Sequence, residues 1–112
     1  MAWTIEAALK DEAVEGPVQF ISEFKFFLKN IPVEITIRLY RPLFGTGVLF
    51  KQSHFIHTPE QAGAYRTSRP WNDYEASALS QAIDGLTSYY NAAVLKGHEP
   101  SADWLEPNSD FP

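Results

Sequence analysis

Cysteine is absent from this 112-residue chain. That excludes a disulfide framework, a thiolate nucleophile and any zinc or iron–sulfur site built on cysteine. Long apolar runs are also missing, and no stretch approaches the roughly 18 apolar residues that a membrane span requires. The opening MAWTIEAALKDE has neither a basic leader nor an apolar core. A signal peptide is therefore not expected, and a cytoplasmic location is the default. No nucleophilic-serine elbow, phosphate-binding glycine loop or zinc-protease helix occurs. FGTG at 44–47 is too short to cradle a nucleotide and reads as a turn. No cofactor, metal site or catalytic residue stands out, so an enzyme is the less favoured class.

Hydrophobic residues make up 45% of the chain and charged residues 21%, ordinary values for one globular domain with a real core. Residues 1–98 read as a single α+β domain, and 99–112 as an acidic, proline-containing tail. The net charge of −5 is unevenly spread. Residues 1–24 hold five acids and one base, 25–69 hold seven bases and two acids, and 70–112 hold seven acids and one base. The middle third can attract anions, whereas the whole chain does not.

Val33, Ile35, Ile37 and Leu39 alternate with Glu34, Thr36, Arg38 and Tyr40, the period of a half-buried strand. The preceding PVQFISEFKFFLKN fits a helix or a strand. Four phenylalanines favour the strand. So does a turn over Lys29–Pro32, which sets Phe26 against Ile35 and Phe24 against Ile37 on one apolar face. Roughly 47–57 is the next strand. With Gly45 and Thr46 at the turn, Leu39 faces Gln52, Ile37 faces His54 and Ile35 faces Ile56. WTIEAAL, 3–9, alternates and is expected as an edge strand beside 18–28. Residues 72–97 carry helical periodicity, with Asn72 as N-cap, Gly97 at the C-terminus and Gly85 marking close packing against the sheet. The tail is expected to be irregular except around Trp104 and Leu105. The fold expected is a four-stranded antiparallel meander with one long C-terminal helix packed on one face.

Three sets of residues are candidates for function. The outer sheet face presents Ile21, Phe27, Tyr40, Leu49 and Phe55 among Glu23, Lys25, Arg38 and Lys51, more apolar than a solvent face should be. A partner protein, a second copy or the tail through Trp104 is expected to cover it. Phe27, Tyr40, Leu49, Phe55 and Trp104 are thus the expected partner-binding residues, with a homodimer as one outcome. In the 58–71 connection, Arg66, Ser68 and Arg69 approach a helix N-terminus and suit an anion, though Arg69 also has Asp73 and Glu75 as prospective partners. Nucleic acid is disfavoured by the acidic ends. A pocket between helix and sheet is the third candidate, with Gln52, His54 and Tyr90 around it. His54 and His57 are three apart, so on a strand they point to opposite faces and cannot share a metal. His57 is expected across from Glu34, and His98 at the helix C-terminus. Non-enzymatic protein binding or assembly is the leading functional expectation, followed by small-ligand binding near His54 and then anion binding through 38–69.

Overall fold

The computed structural model describes residues 2–111. In chain order its elements are helix α1 (Ile5–Leu9), strands β1 (Val18–Phe26), β2 (Ile35–Pro42), β3 (Val48–Gln52), β4 (His54–Ile56) and β5 (Trp71–Asn72), and helix α2 (Glu75–Leu95). A 3-10 turn at Ala102–Trp104 and strand β6 (Leu105–Pro107) follow. The main sheet is antiparallel, in the order β1-β2-β3-β5, and α2 packs across it. β4 and β6 form a separate two-stranded ladder. The fold is therefore the expected α+β meander with one long helix, but its fourth strand is β5 on the far edge.

The N-terminal segment is a helix and not the expected edge strand. Thr4 Oγ1 accepts the Ala7 N–H at 3.0 Å, a helix N-cap. Glu6 and Lys10 pair one turn apart at 2.8 Å. With Ala7 and Ala8 between them, these local signals outweigh a seven-residue alternation. α1 lies off the sheet with only Leu9 partly buried, so β1 is left as an edge.

β1 and β2 pair in the expected register, Phe24 opposite Ile37 and Phe26 opposite Ile35. A bulge between Phe20 and Ser22 then reverses the faces. Phe20 turns outward and meets Tyr40 edge to face at 6.0 Å, while Ile21, expected outside, packs against the core. The bulge leaves Ser22 Oγ buried without a hydrogen-bond partner among the described residues. An unsatisfied buried hydroxyl is destabilising, so Ser22→Ala is expected to raise stability by about 1 kcal/mol in thermal unfolding.

The β2–β3 register differs from expectation by two residues. Ile37 faces Gln52 and Leu39 faces Phe50, which preserves the faces. A tight Gly45–Thr46 turn is replaced by a wider loop. Leu43 N–H is drawn to the Pro17 carbonyl at 3.0 Å, and Thr46 O accepts the Trp71 indole N–H at 2.8 Å. The predicted 47–57 strand also breaks at Ser53. Its N–H donates to Thr36 O at 2.9 Å and its hydroxyl accepts the Thr36 N–H at 2.8 Å. Its carbonyl accepts the Asn108 N–H from the tail at 2.8 Å.

Ile35, Ile37, Leu39, Val48 and Phe50 from the sheet meet Ala78, Ala82, Leu86 and Ala93 of α2 in one core. Asn72 is not the N-cap. It belongs to β5 and bonds Gln81, and the helix starts after Tyr74, whose N–H is taken by Ser77 Oγ at 3.1 Å. Gly97, with φ of 90°, closes the C-terminus: His98 N–H returns to Ala93 O and Gly97 N–H to Val94 O. Gly85 faces the 58–71 connection and not the sheet, because a Cβ there would lie 3.2 Å from the Tyr65 ring.

The tail is ordered around Trp104 and Leu105, which enter the core. Trp104 meets Tyr90 edge to face at 5.9 Å, and its carbonyl takes the His57 N–H at 2.7 Å. The molecule is elongated, 65 × 24 × 23 Å with a radius of gyration of 17.0 Å. A compact chain of this length would have about 13 Å. The excess fits the exposed N-terminal segment that carries α1.

Candidate interaction surface

The three expected sites are rearranged by this fold. The residues expected around a helix–sheet pocket are each held by a separate hydrogen bond. Gln52 is buried and gives its side-chain N–H to His54 O at 2.8 Å. Tyr90 donates its hydroxyl to Lys29 O at 2.7 Å, which ties the β1–β2 turn to the helix. His54 is half-buried, with Nδ1 2.8 Å from Ser53 Oγ. Gln52 does line a cleft of about 330 Å³, but neither His54 nor Tyr90 lines it.

Burial lowers the His54 pKa below its ordinary value by disfavouring the charged ring. Protonation therefore favours the unfolded chain. The contribution of His54 to stability is whole above the ordinary value of 6.5 and is lost as pH falls through the lower folded value. His54→Gln is expected to flatten the loss of stability between about pH 7 and pH 5. Denaturation curves at each pH check this, and an unchanged pH slope would refute it.

His57 and His98 occupy separate sites. His57 Nδ1 lies 2.8 Å from Glu106 and not beside Glu34, which instead lies 4.0 Å from Lys25. His98 Nε2 lies 2.7 Å from Glu60. Among the described residues no group of three or more histidine, aspartate or glutamate side chains could hold a metal ion. No helix among them is long and apolar enough to cross a membrane.

The anion trio is also divided. Arg66 stacks on Phe55, 4.3 Å from the ring centroid, and lines the 330 Å³ cleft with Lys51, Thr67, Asn108 and Asp110. Ser68 and Arg69 do not line it. Glu75, one prospective partner of Arg69, instead lies 3.6 Å from Arg41.

On the outer face, aromatic rings alternate with cations. Lys51 sits 5.3 Å above Tyr40, and Arg38 sits 4.6 Å from the Phe111 ring. The tail thus reaches this face through Asn108 and Phe111, whereas Trp104, at 4% exposure, is buried in the core and is no partner contact. Tyr40, Leu49 and Phe55 are only half-exposed. The open apolar surface lies elsewhere.

That surface is β1. α2 packs across β2, β3, β4 and β5. Phe24 therefore stays 40% exposed on the inner face, with Phe20 at 52% on the outer face and Phe27 at 57% just beyond the strand. The sequence pattern included Phe27 but missed the other two, because alternation alone placed both in the core. The bulge and the narrow reach of one helix were not visible in it. The backbone of β1 is open as well. Both polar groups of Thr36 are taken by Ser53 on the β3 side. Lys25, opposite Thr36, therefore turns its N–H and C=O to the free edge, and Glu23 does the same by alternation. Among the described residues the ionic neighbours of Glu23 are Arg38 at 3.8 Å and Lys25 at 3.9 Å.

The chain matches no family model, no curated protein and no solved structure.

Proposed function

We propose that this protein is a non-enzymatic protein-binding or assembly module whose working surface is β1. The supporting observation is a nine-residue edge strand whose backbone groups at Glu23 and Lys25 face away from β2, with exposed phenylalanines on both faces. Such an edge is a template for pairing with another chain. Of the expected partner-binding residues Phe27 stays, Phe20 and Phe24 join it, and the half-buried Tyr40, Leu49 and Phe55 and the buried Trp104 fall outside this surface. A photo-crosslinking side chain at Phe27, used in extract of the native cell, is expected to give protein adducts. The same probe at Ser80, on the exposed side of α2, is the control. Adducts no more abundant at Phe27 than at Ser80 would overturn the reading.

Anion binding is the second reading, carried by Lys51 and Arg66 in the 330 Å³ cleft. Asp110 lines the same cleft and opposes an anion, which ranks this reading lower. Titration with inorganic phosphate, followed by the Arg66 side-chain NMR signal, is its test. A response that persists in high salt would count against it.

A further inference from the structure

We infer that the partner of β1 is a second copy of the same chain, paired antiparallel about a two-fold axis through Phe24. This inference rests on the reading of β1 as the working surface and names its occupant. The argument is self-complementarity. The centre of the strand reads Ser22-Glu23-Phe24-Lys25-Phe26. In an antiparallel pair centred on Phe24, Glu23 of one copy faces Lys25 of the other, and the symmetry repeats the match. Because the backbone groups of both residues already point outward, these pairs would exchange the ladder hydrogen bonds, four in all by the antiparallel pattern. On the inner face Phe24 meets Phe24, and Phe26 of each copy lies beside the small Ser22 of the other. The apolar area that α2 leaves open is then covered.

Registers centred one residue to either side fail on the same residues. A centre at Lys25 or at Glu23 sets like charges face to face, which is destabilising. A shift that changes parity lays apolar side chains against the charged face. The bulge between Phe20 and Ser22 limits the regular ladder to the Ser22–Phe26 segment. The two main sheets would join into one continuous eight-stranded sheet, and the edge would disappear from both copies.

The absence of native cysteine makes the geometry directly testable. Phe24 pairs with itself at a non-hydrogen-bonded position, where Cα atoms lie about 4.5 Å apart, within disulfide reach. Phe24→Cys is expected to form a disulfide-linked dimer under mild oxidation. Phe27→Cys, about 20 Å from its own copy at six residues of offset, is not. Charge reversal tests the register independently. Glu23→Lys or Lys25→Glu is expected to weaken dimerisation about tenfold or more, since either sets two like-charge pairs across the axis. The double variant E23K/K25E is expected to recover most of it. Sedimentation measures the association, and thermal unfolding confirms that each variant is folded. Equal cross-linking at positions 24 and 27, or single reversals without effect in folded protein, would overturn the pairing. A chain that stays monomeric with no Phe24→Cys disulfide would also overturn it. If Phe27 adducts to other proteins still form in extract, the protein-binding reading survives that failure; without them both fall.

Discussion

Trp104→Ala is expected to cost about 3–5 kcal/mol, the loss typical of emptying a buried tryptophan site. For a chain of this size that is a fall in melting temperature on the order of 15 °C. The reason is where the tail goes after Pro100. Trp104 is 4% exposed and packs on Tyr90, whose hydroxyl fastens the Lys29 turn. Its backbone carbonyl takes the His57 N–H at 2.7 Å, and Leu105 beside it opens the ladder with β4. The cavity would therefore sit where the helix, the β1–β2 turn and the second ladder meet. Urea or thermal denaturation measures the effect. A change below about 1 kcal/mol would mean that the tail is an appendage and not part of the core.

Gly47→Ala is expected to be nearly as damaging, about 2–4 kcal/mol, by adding left-handed strain to an overpacked contact. Gly47 has a φ of 82°, and a Cβ there would lie 2.3 Å from the Trp71 ring. The indole would have to leave its place, losing the 2.8 Å bond to Thr46 O and loosening β5, which pairs through Trp71 and Asn72. Gly63→Ala is the control. Nothing lies within 4 Å of a Cβ there, so its effect is expected to stay within about 0.5 kcal/mol. Thermal unfolding of both variants, with the NMR signal of the Trp71 indole N–H, separates the two cases. A harmless Gly47→Ala would refute the packing of Trp71 on the turn.

Elements whose pattern is long and local were legible in the sequence. β2 follows its strict alternation, and α2 follows its helical stripe to a glycine stop. The β1–β2 register followed from matching apolar faces across a short turn. The misreadings have specific causes. The N-terminal alternation was short and held two adjacent alanines, Ala7 and Ala8, which fit a helix better than a strand. The β2–β3 register moved by two residues because Trp71, twenty-five positions beyond Thr46, sets the shape of the loop. Ser53 ended a strand through hydrogen bonds to Thr36 and Asn108, partners that no local window contains. His54 and His57 have separate partners, Ser53 and Glu106, neither of which alternation foresaw.

The candidate site was legible only in part. The excess of aromatic residues pointed to an exposed apolar surface; the pattern put it on the outer face, whereas the exposed phenylalanines of β1 lie on both faces. Tyr40 and Phe55 carry cations above their rings, whereas Phe20 and Phe24 are open because of a bulge and a helix that stops short of β1. The signal that the sequence does carry is the Glu-Phe-Lys triplet at 23–25, which puts opposite charges on either side of the exposed Phe24.

Hydrogen exchange at the Glu23 and Lys25 amides tests the pairing of β1 most directly. Both amides face away from β2, so within a single copy nothing in the sheet protects them. In concentrated wild-type protein both are expected to be protected like Phe24 and Phe26, and to lose that protection on dilution. Rapid exchange of both at every concentration, with Phe24 and Phe26 still protected, would contradict the account.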